Sequence, residues 1–115
     1  YQHKLSALAK MFPNVFIDMC WAHIISPMAA ISALAEWIDS VPMNKVCGFG
    51  GDHHYIDAVY GHVAFARRNI SRALALRVEA GDMDFDLALE YAERILYRNP
   101  VELLGLRDLE GKEGP

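Results

Sequence analysis

Two short apolar runs, Val15 to Trp21 and Lys45 to Phe49, constrain the chain more than any other feature. Each is too short for an independent helix, and the first is rich in Val, Phe and Ile, as buried strands are. Between them Ser26-Pro27 marks a helix start. Serine can cap free backbone N–H groups, and proline fits the first helical position. Met28, Ile31, Leu34, Ala35 and Ile38 then form one apolar stripe, and Val41-Pro42 ends the helix. Two strands starting roughly 30 residues apart with a helix between them match one βαβ crossover, so the strands are expected to lie parallel.

The flanking segments read as helices. Residues 3 to 12 carry Leu5, Leu8 and Phe12 at helical spacing, and Pro13-Asn14 stops them. A long helix is predicted from Tyr55 to Ala80, with Ile56, Val59, Tyr60, Val63, Ile70, Ala73 and Leu74 on its buried face and Gly81 as its stop. Asp84 is expected to cap the next helix, whose inner face is Leu87, Tyr91, Ile95 and Leu96. Asn99-Pro100 is read as its break, and Val101 to Leu104 as a short final turn. The order helix, strand, helix, strand, helix, helix is that of an α/β protein. Residues 1–106 are read as one domain and 107–115 as a polar tail that frays from Glu110 onward.

Two strands do not make a stable parallel sheet, because such sheets are covered on both faces and normally have more strands. The chain is therefore expected either to borrow strands from a second copy, as a homo-oligomer, or to be part of a larger α/β protein. A hydrophobic fraction of 53% and an opening Tyr1-Gln2-His3-Lys4 that reads as mid-helix favour the larger protein. The formal net charge of −4 gives no footprint for nucleic acid. Arg67, Arg68, Arg72 and Arg77 fall along one helix and read as a solvated face. No leader or membrane-spanning run is visible, so no membrane partner is expected. Cys20 and Cys47 have no Cys-x-x-Cys spacing and read as buried thiols in a reducing, cytoplasmic compartment; one disulfide is permitted but not required.

The sharpest candidate for chemistry is Gly48-Phe49-Gly50-Gly51-Asp52-His53-His54. In parallel α/β folds functional side chains collect at the C-terminal ends of strands, and Asp52 follows such an end. The glycines before it permit a tight turn and close approach of a ligand. Asp52 is then either a hard oxygen ligand or general base, or simply the cap of the following helix. Asp18 places a charge in an apolar strand, either lining a site or held by backbone donors. Trp21 and His23 lie after the first strand as substrate-pocket candidates, with packing roles as the alternative. His53 is a further pocket candidate, with a turn or solvent role as the alternative for both His53 and His54. His62 and His3 read as surface residues, and Trp37 as packing.

Pro13-Asn14-Val15-Phe16-Ile17-Asp18-Met19-Cys20-Trp21, Ser26-Pro27, Val41-Pro42, Lys45-Val46 and Phe49-Gly50-Gly51-Asp52 together resemble the last two βα units of an amidohydrolase-2 type metal-dependent hydrolase. Ala88 through Ile95-Leu96, Asn99-Pro100 and Leu104-Gly105-Leu106 resemble the C-terminal helix and tail of that group. The resemblance covers nearly the whole chain. It implies a partial (β/α)8 TIM barrel, with strands seven and eight here, plus C-terminal helices. It implies that Asp52 binds a divalent metal, zinc by preference, and takes a proton from the attacking water, whose pKa such a metal lowers to about 7. The implied reaction is hydrolysis of a C–N or C–O bond in a small-molecule substrate. Relatives in that superfamily include decarboxylases and uronate isomerases, which leaves the bond type open. The family's His-x-His pair and two further strand-end histidines match nothing in this chain. The fragment is therefore expected to be inactive alone and to hold no metal tightly, with the remainder of the barrel or another copy of the chain as its partner.

Overall fold

The computed structural model describes residues 2–109. Helix α1 spans Gln2–Met11, strand β1 Ile17–Asp18, and the short helix α2 Ala22–Ile25. Helix α3 spans Pro27–Ser40, a 3-10 turn Met43–Lys45 leads into strand β2, Val46–Cys47, and the long helix α4 covers Ile56–Glu79. Helix α5 runs over Phe85–Glu93, passes through a π-turn at Arg94–Arg98 and continues as α6, Asn99–Leu103, before a 3-10 turn at Leu106–Leu109. The polar tail read over 107–115 falls partly in that last turn; from residue 110 on it lies outside the described residues, as does Tyr1.

Local chemistry sets the helix ends as the sequence foretells. Ser26 accepts a hydrogen bond from the Ala29 N–H at 3.2 Å, with Pro27 at the first turn of α3. Asp84 caps α5 through the Leu87 N–H at 2.7 Å. Gly81 adopts φ +80 just past α4, where the left-handed conformation favours glycine.

The partial barrel expected from the sequence is not what the chain forms. The described residues are mostly helical, with a single two-stranded sheet whose strands are two residues long. The pair is parallel, with Ile17 opposite Val46 and Asp18 opposite Cys47. The edge of β2 facing away from β1, where a barrel would set another strand, is taken by the α5–α6 helix. The physical cause is Pro100. Proline has no N–H and is excluded from a regular helix interior. Here the helix passes it by widening into a π-turn, with the Asn99 N–H bonded to the Arg94 carbonyl. The Ile95 carbonyl is thereby left without a helical donor and accepts the Gly48 N–H at 2.8 Å. Asn99 adds Nδ2 bonds to the carbonyls of Val46 at 2.8 Å and Met43 at 2.6 Å. Asn99-Pro100, read as a break, is a continuous helix that grips β2.

At the near end of β2 the buried Lys45 donates from Nζ to the carbonyls of Ala9 and Phe12, the latter at 2.6 Å, closing the C-terminus of α1. Leu34, Val46, Ile70 and Ile95 form the centre of the core. The helix faces differ from the predicted stripes. Helix α1 docks through Ser6 and Ala9, leaving Leu5, Leu8, Met11 and Phe12 exposed. In α3 Ala30, Ala33, Leu34 and Trp37 are buried while Met28 is not. In α4 the buried stripe is His62, Ala66, Asn69, Ile70, Ala73 and Leu74. Ile56 and Tyr60, assigned inward from the sequence, are 85% and 83% exposed. In α5 Ala88 and Tyr91 face the core and Leu87 faces out.

Two substitutions test buried polar groups: Asn99, whose Nδ2 is paired while its Oδ1 has no partner among the described residues, and Tyr91. Asn99→Ala leaves two carbonyls unpaired and is expected to cost about 2–4 kcal/mol in urea unfolding. Tyr91 is buried with no partner for its hydroxyl among the described residues. Tyr91→Phe is therefore expected to be neutral or stabilising by up to about 1 kcal/mol in the same measurement.

Candidate functional site

The two strands end beside one another, and the chain leaves each through a strained residue. After β1, Asp18 accepts the Cys20 N–H on Oδ1 at 2.7 Å, and Cys20 takes φ 43. After β2, the loop 48–55 carries Asp52 at φ 44. The glycines there serve packing rather than the turn itself. A Cβ on Gly48 would lie 3.0 Å from Ile70 Cδ1, and one on Gly50 would lie 3.2 Å from Asp18 Oδ1 and 3.3 Å from Cys20 Sγ. The left-handed position belongs to Asp52.

Asp52 is exposed and makes no hydrogen bond or ion pair among the described residues. It is not a helix cap. Helix α4 begins at Ile56, with Tyr55 at the capping position and no side-chain cap. Asp18 is also exposed, at the strand's end, so it is not a buried charge. Its partner is the local Cys20 amide.

His23 is wholly buried and structural. Its Nε2 donates to the Gly48 carbonyl at 2.8 Å, which leaves Nδ1 to accept from Asn69 Nδ2 at 3.2 Å. Asn69 Nδ2 also reaches the His23 carbonyl at 3.4 Å. Both ring nitrogens are committed, so the pocket role weighed for His23 gives way to its packing alternative. Burial lowers its pKa first, against an upward pull from the Gly48 carbonyl.

His53 is the pocket candidate that hydrogen-bonds a second histidine. Its Nε2 lies 2.9 Å from Nδ1 of His62, with ring centroids 5.0 Å apart and planes at 85°. Trp21, half-exposed, lies 4.9 Å from the His53 ring, and Phe49 sets its ring 4.7 Å from His62. His62, read from the sequence as a surface residue, is 1% exposed. Burial lowers its pKa first and His53 adds to this, while the nearby Cys20 and Gly51 backbone pulls weakly upward. His62 Nε2 makes no hydrogen bond of good geometry among the described residues. His54 is exposed. The signal for His62 and Asn69 is their spacing, since both continue the stripe of Ala66, Ile70 and Ala73 at intervals of three and four.

The cysteines are both free. Cys47 is buried as expected, whereas Cys20 is exposed. Partial burial and the Asp18 carboxylate raise the Cys20 pKa, and burial above all pushes Cys47 up to about 11. Neither is an activated nucleophile at neutral pH. Among the described residues no three His, Cys, Asp or Glu side chains converge to hold a metal, and no helix is long and apolar enough to cross a membrane. Comparison with known protein families, with curated proteins and with solved structures finds no match to the chain.

The His23 arrangement sets a pH dependence. Its pKa in the fold lies below the usual 6.5 of the unfolded chain, so the unfolded state binds the proton first as pH falls. The stabilisation is complete above 6.5 and is lost as pH drops through that value towards the lower folded pKa. Urea midpoints measured from about pH 8 down to about pH 5 are expected to fall on the acid side, and His23→Gln is expected to flatten that fall.

Proposed function

We propose that the chain is part of a metal-dependent hydrolase of amidohydrolase type, to which Asp52 supplies one carboxylate ligand for a divalent ion such as zinc. The observation that supports this most is the state of Asp52: a left-handed backbone at the mouth of two parallel strands, presenting an exposed, uncommitted carboxylate. That conformation is less costly for aspartate than for most non-glycine residues, but Asp52 gives no cap or ion pair among the described residues in return. An exposed carboxylate held on a left-handed backbone without a structural partner fits a functional role.

This chain's own residues do not fit a hydrolytic metal by themselves. Such an ion takes three or four protein ligands, and the described residues bring no such group together. In this reading the other ligands belong to polypeptide beyond residues 2–109, and the substrate is a small molecule with a hydrolysable C–N or C–O bond. The exposed apolar residues support a large protein partner, namely Leu5, Leu8, Met11 and Phe12 on one side and Ile56 and Tyr60 on another. The free thiols fit a reducing, cytoplasmic setting.

The same exposed residues favour a second reading, a non-enzymatic module that covers its apolar faces with another copy of itself. Substitution at Asp52 separates the two. In the intact protein Asp52→Asn is expected to lower hydrolytic turnover at least about a hundredfold, the scale of a lost general base. Asp52→Gly should do the same while changing stability by less than about 1 kcal/mol, because relief of the left-handed backbone is offset by the greater freedom of glycine in the unfolded chain. Unchanged turnover in Asp52→Asn, or a stable dimer of the isolated chain with no metal-dependent activity in the intact protein, would favour the module.

A further inference from the structure

We propose that the α4–α5 face is a dimerisation surface, on which a second copy of this chain packs antiparallel about a two-fold axis beside Ala75. Helices α4 and α5, joined by residues 80–84, line an open groove of about 330 Å3. Leu74 and Ala88 are buried at its base. Ser71 and Ala75 form its rim on α4, while Phe85 and Leu89 stand on α5 at 67% and 55% exposed. This face is remote from the strand ends, since Ala75 lies roughly 28 Å along α4 from Ile56 at 1.5 Å per residue. The pairing therefore rests on neither reading of Asp52, and it uses none of the apolar residues assigned above to other partners.

Charge identifies the occupant, because the chain leaves its own charges on this face unbalanced. Arg68 and Arg72 are exposed, sit one turn apart on α4 and make no ion pair among the described residues. Like charges at that spacing repel. Glu79 is also exposed and unpaired among the described residues, and it ends α4, where the helix dipole disfavours a negative charge. Residues 68, 72, 75 and 79 follow one another at intervals of four, three and four, so they share one stripe of the helix. An antiparallel copy of that stripe, centred beside Ala75, sets Arg72 of each chain opposite Glu79 of the other. Arg68 then lies over the α4–α5 turn of the second copy, which carries Asp82 and Asp84. Two Arg72–Glu79 pairs relieve the repulsion and the misplaced carboxylate together, whereas a partner of a single sign relieves only one of them.

The shape is complementary to itself about the same axis. Ala75 is small, so the two α4 helices approach closely where they cross. An axis running across both helices also stacks α5 on α5 of the second copy. Because α5 turns back along α4, Phe85 stands level with the last turn of α4 and Leu89 level with Ala75. The two Leu89 side chains then meet near the axis, and each Phe85 covers the pair. The result is an apolar centre made of alanine, leucine and phenylalanine with a charged rim, the arrangement of a stable protein interface.

Sedimentation equilibrium of the full chain tests the pairing. The chain should be a dimer, and Ala75→Arg, which sets two like charges at the axis, should make it a monomer. Arg72→Glu and Glu79→Arg should each weaken dimerisation at least about tenfold. The double variant Arg72→Glu with Glu79→Arg should recover most of that loss, because the axis again sets opposite charges face to face. Both charge reversals lie at exposed positions, and Glu79→Arg improves the fit to the helix dipole, so they keep the test valid if Ala75→Arg does not fold. A monomeric chain, whether the groove is covered by other polypeptide or by solvent, would overturn the proposal. So would a dimer indifferent to Ala75→Arg, which uses another face, or a double variant as weak as the single ones.

Discussion

The Ile95 carbonyl, freed from its helix by Pro100, holds the rest of this structure in register. A proline inside a helix removes one donor and forces the turn to widen. That widening exposes an acceptor inside the core, where an unpaired carbonyl is expensive. The Gly48 N–H fills it, and Asn99 secures the two carbonyls on the approach to β2. Two strands of two residues have little ladder of their own. Their position is set from outside, by the helix on one edge and by the Lys45 contact with α1 at the other end.

From Gly48 the constraint passes to the candidate site. The Gly48 carbonyl accepts from His23, and His23 in turn accepts from Asn69 on α4. Loop 48–55 is thus anchored at its first residue on both sides of its backbone. Gly50 then lets it pass against Asp18 and Cys20. Beyond Gly50 the side chains divide by burial. Asp52 is turned outward on a left-handed backbone, and His53 is turned inward onto His62. The solvent-facing carboxylate and the histidine pair walled by Trp21 and Phe49 are thereby kept apart.

Features decided by neighbouring residues are legible in the sequence. Ser26-Pro27, Asp84 and Gly81 act within one turn of backbone, and each does what its chemistry predicts. The parallel pairing of β1 with β2 also follows, from crossover length alone. Features decided by distant contacts are not legible. Ile56 and Tyr60 fit an apolar stripe, yet α4 buries His62 and Asn69 instead, because those polar groups find partners in His53 and His23. The motifs lie in a barrel's order and so predict a barrel. The chain instead closes the outer edge of β2 with its own helix, a consequence of Pro100 that no local rule announces. The sequence places Asp52 just past a strand running to Phe49, whereas the strand stops at Cys47 and Asp52 lies within loop 48–55. It assigns the tight turn to the glycines before Asp52, whereas the left-handed backbone is that of Asp52 itself.

The helix at Pro100 fixes the loop that carries Asp52 and His53, and native-state hydrogen exchange of the Gly48 amide tests this most directly. That amide is predicted to exchange as slowly as those in the middle of α4. Pro100→Ala, by restoring a helical donor for the Ile95 carbonyl, is predicted to accelerate it selectively. A Gly48 amide that exchanges at the rate of an open loop, or that is indifferent to Pro100→Ala, would contradict this dependence of the loop on the helix.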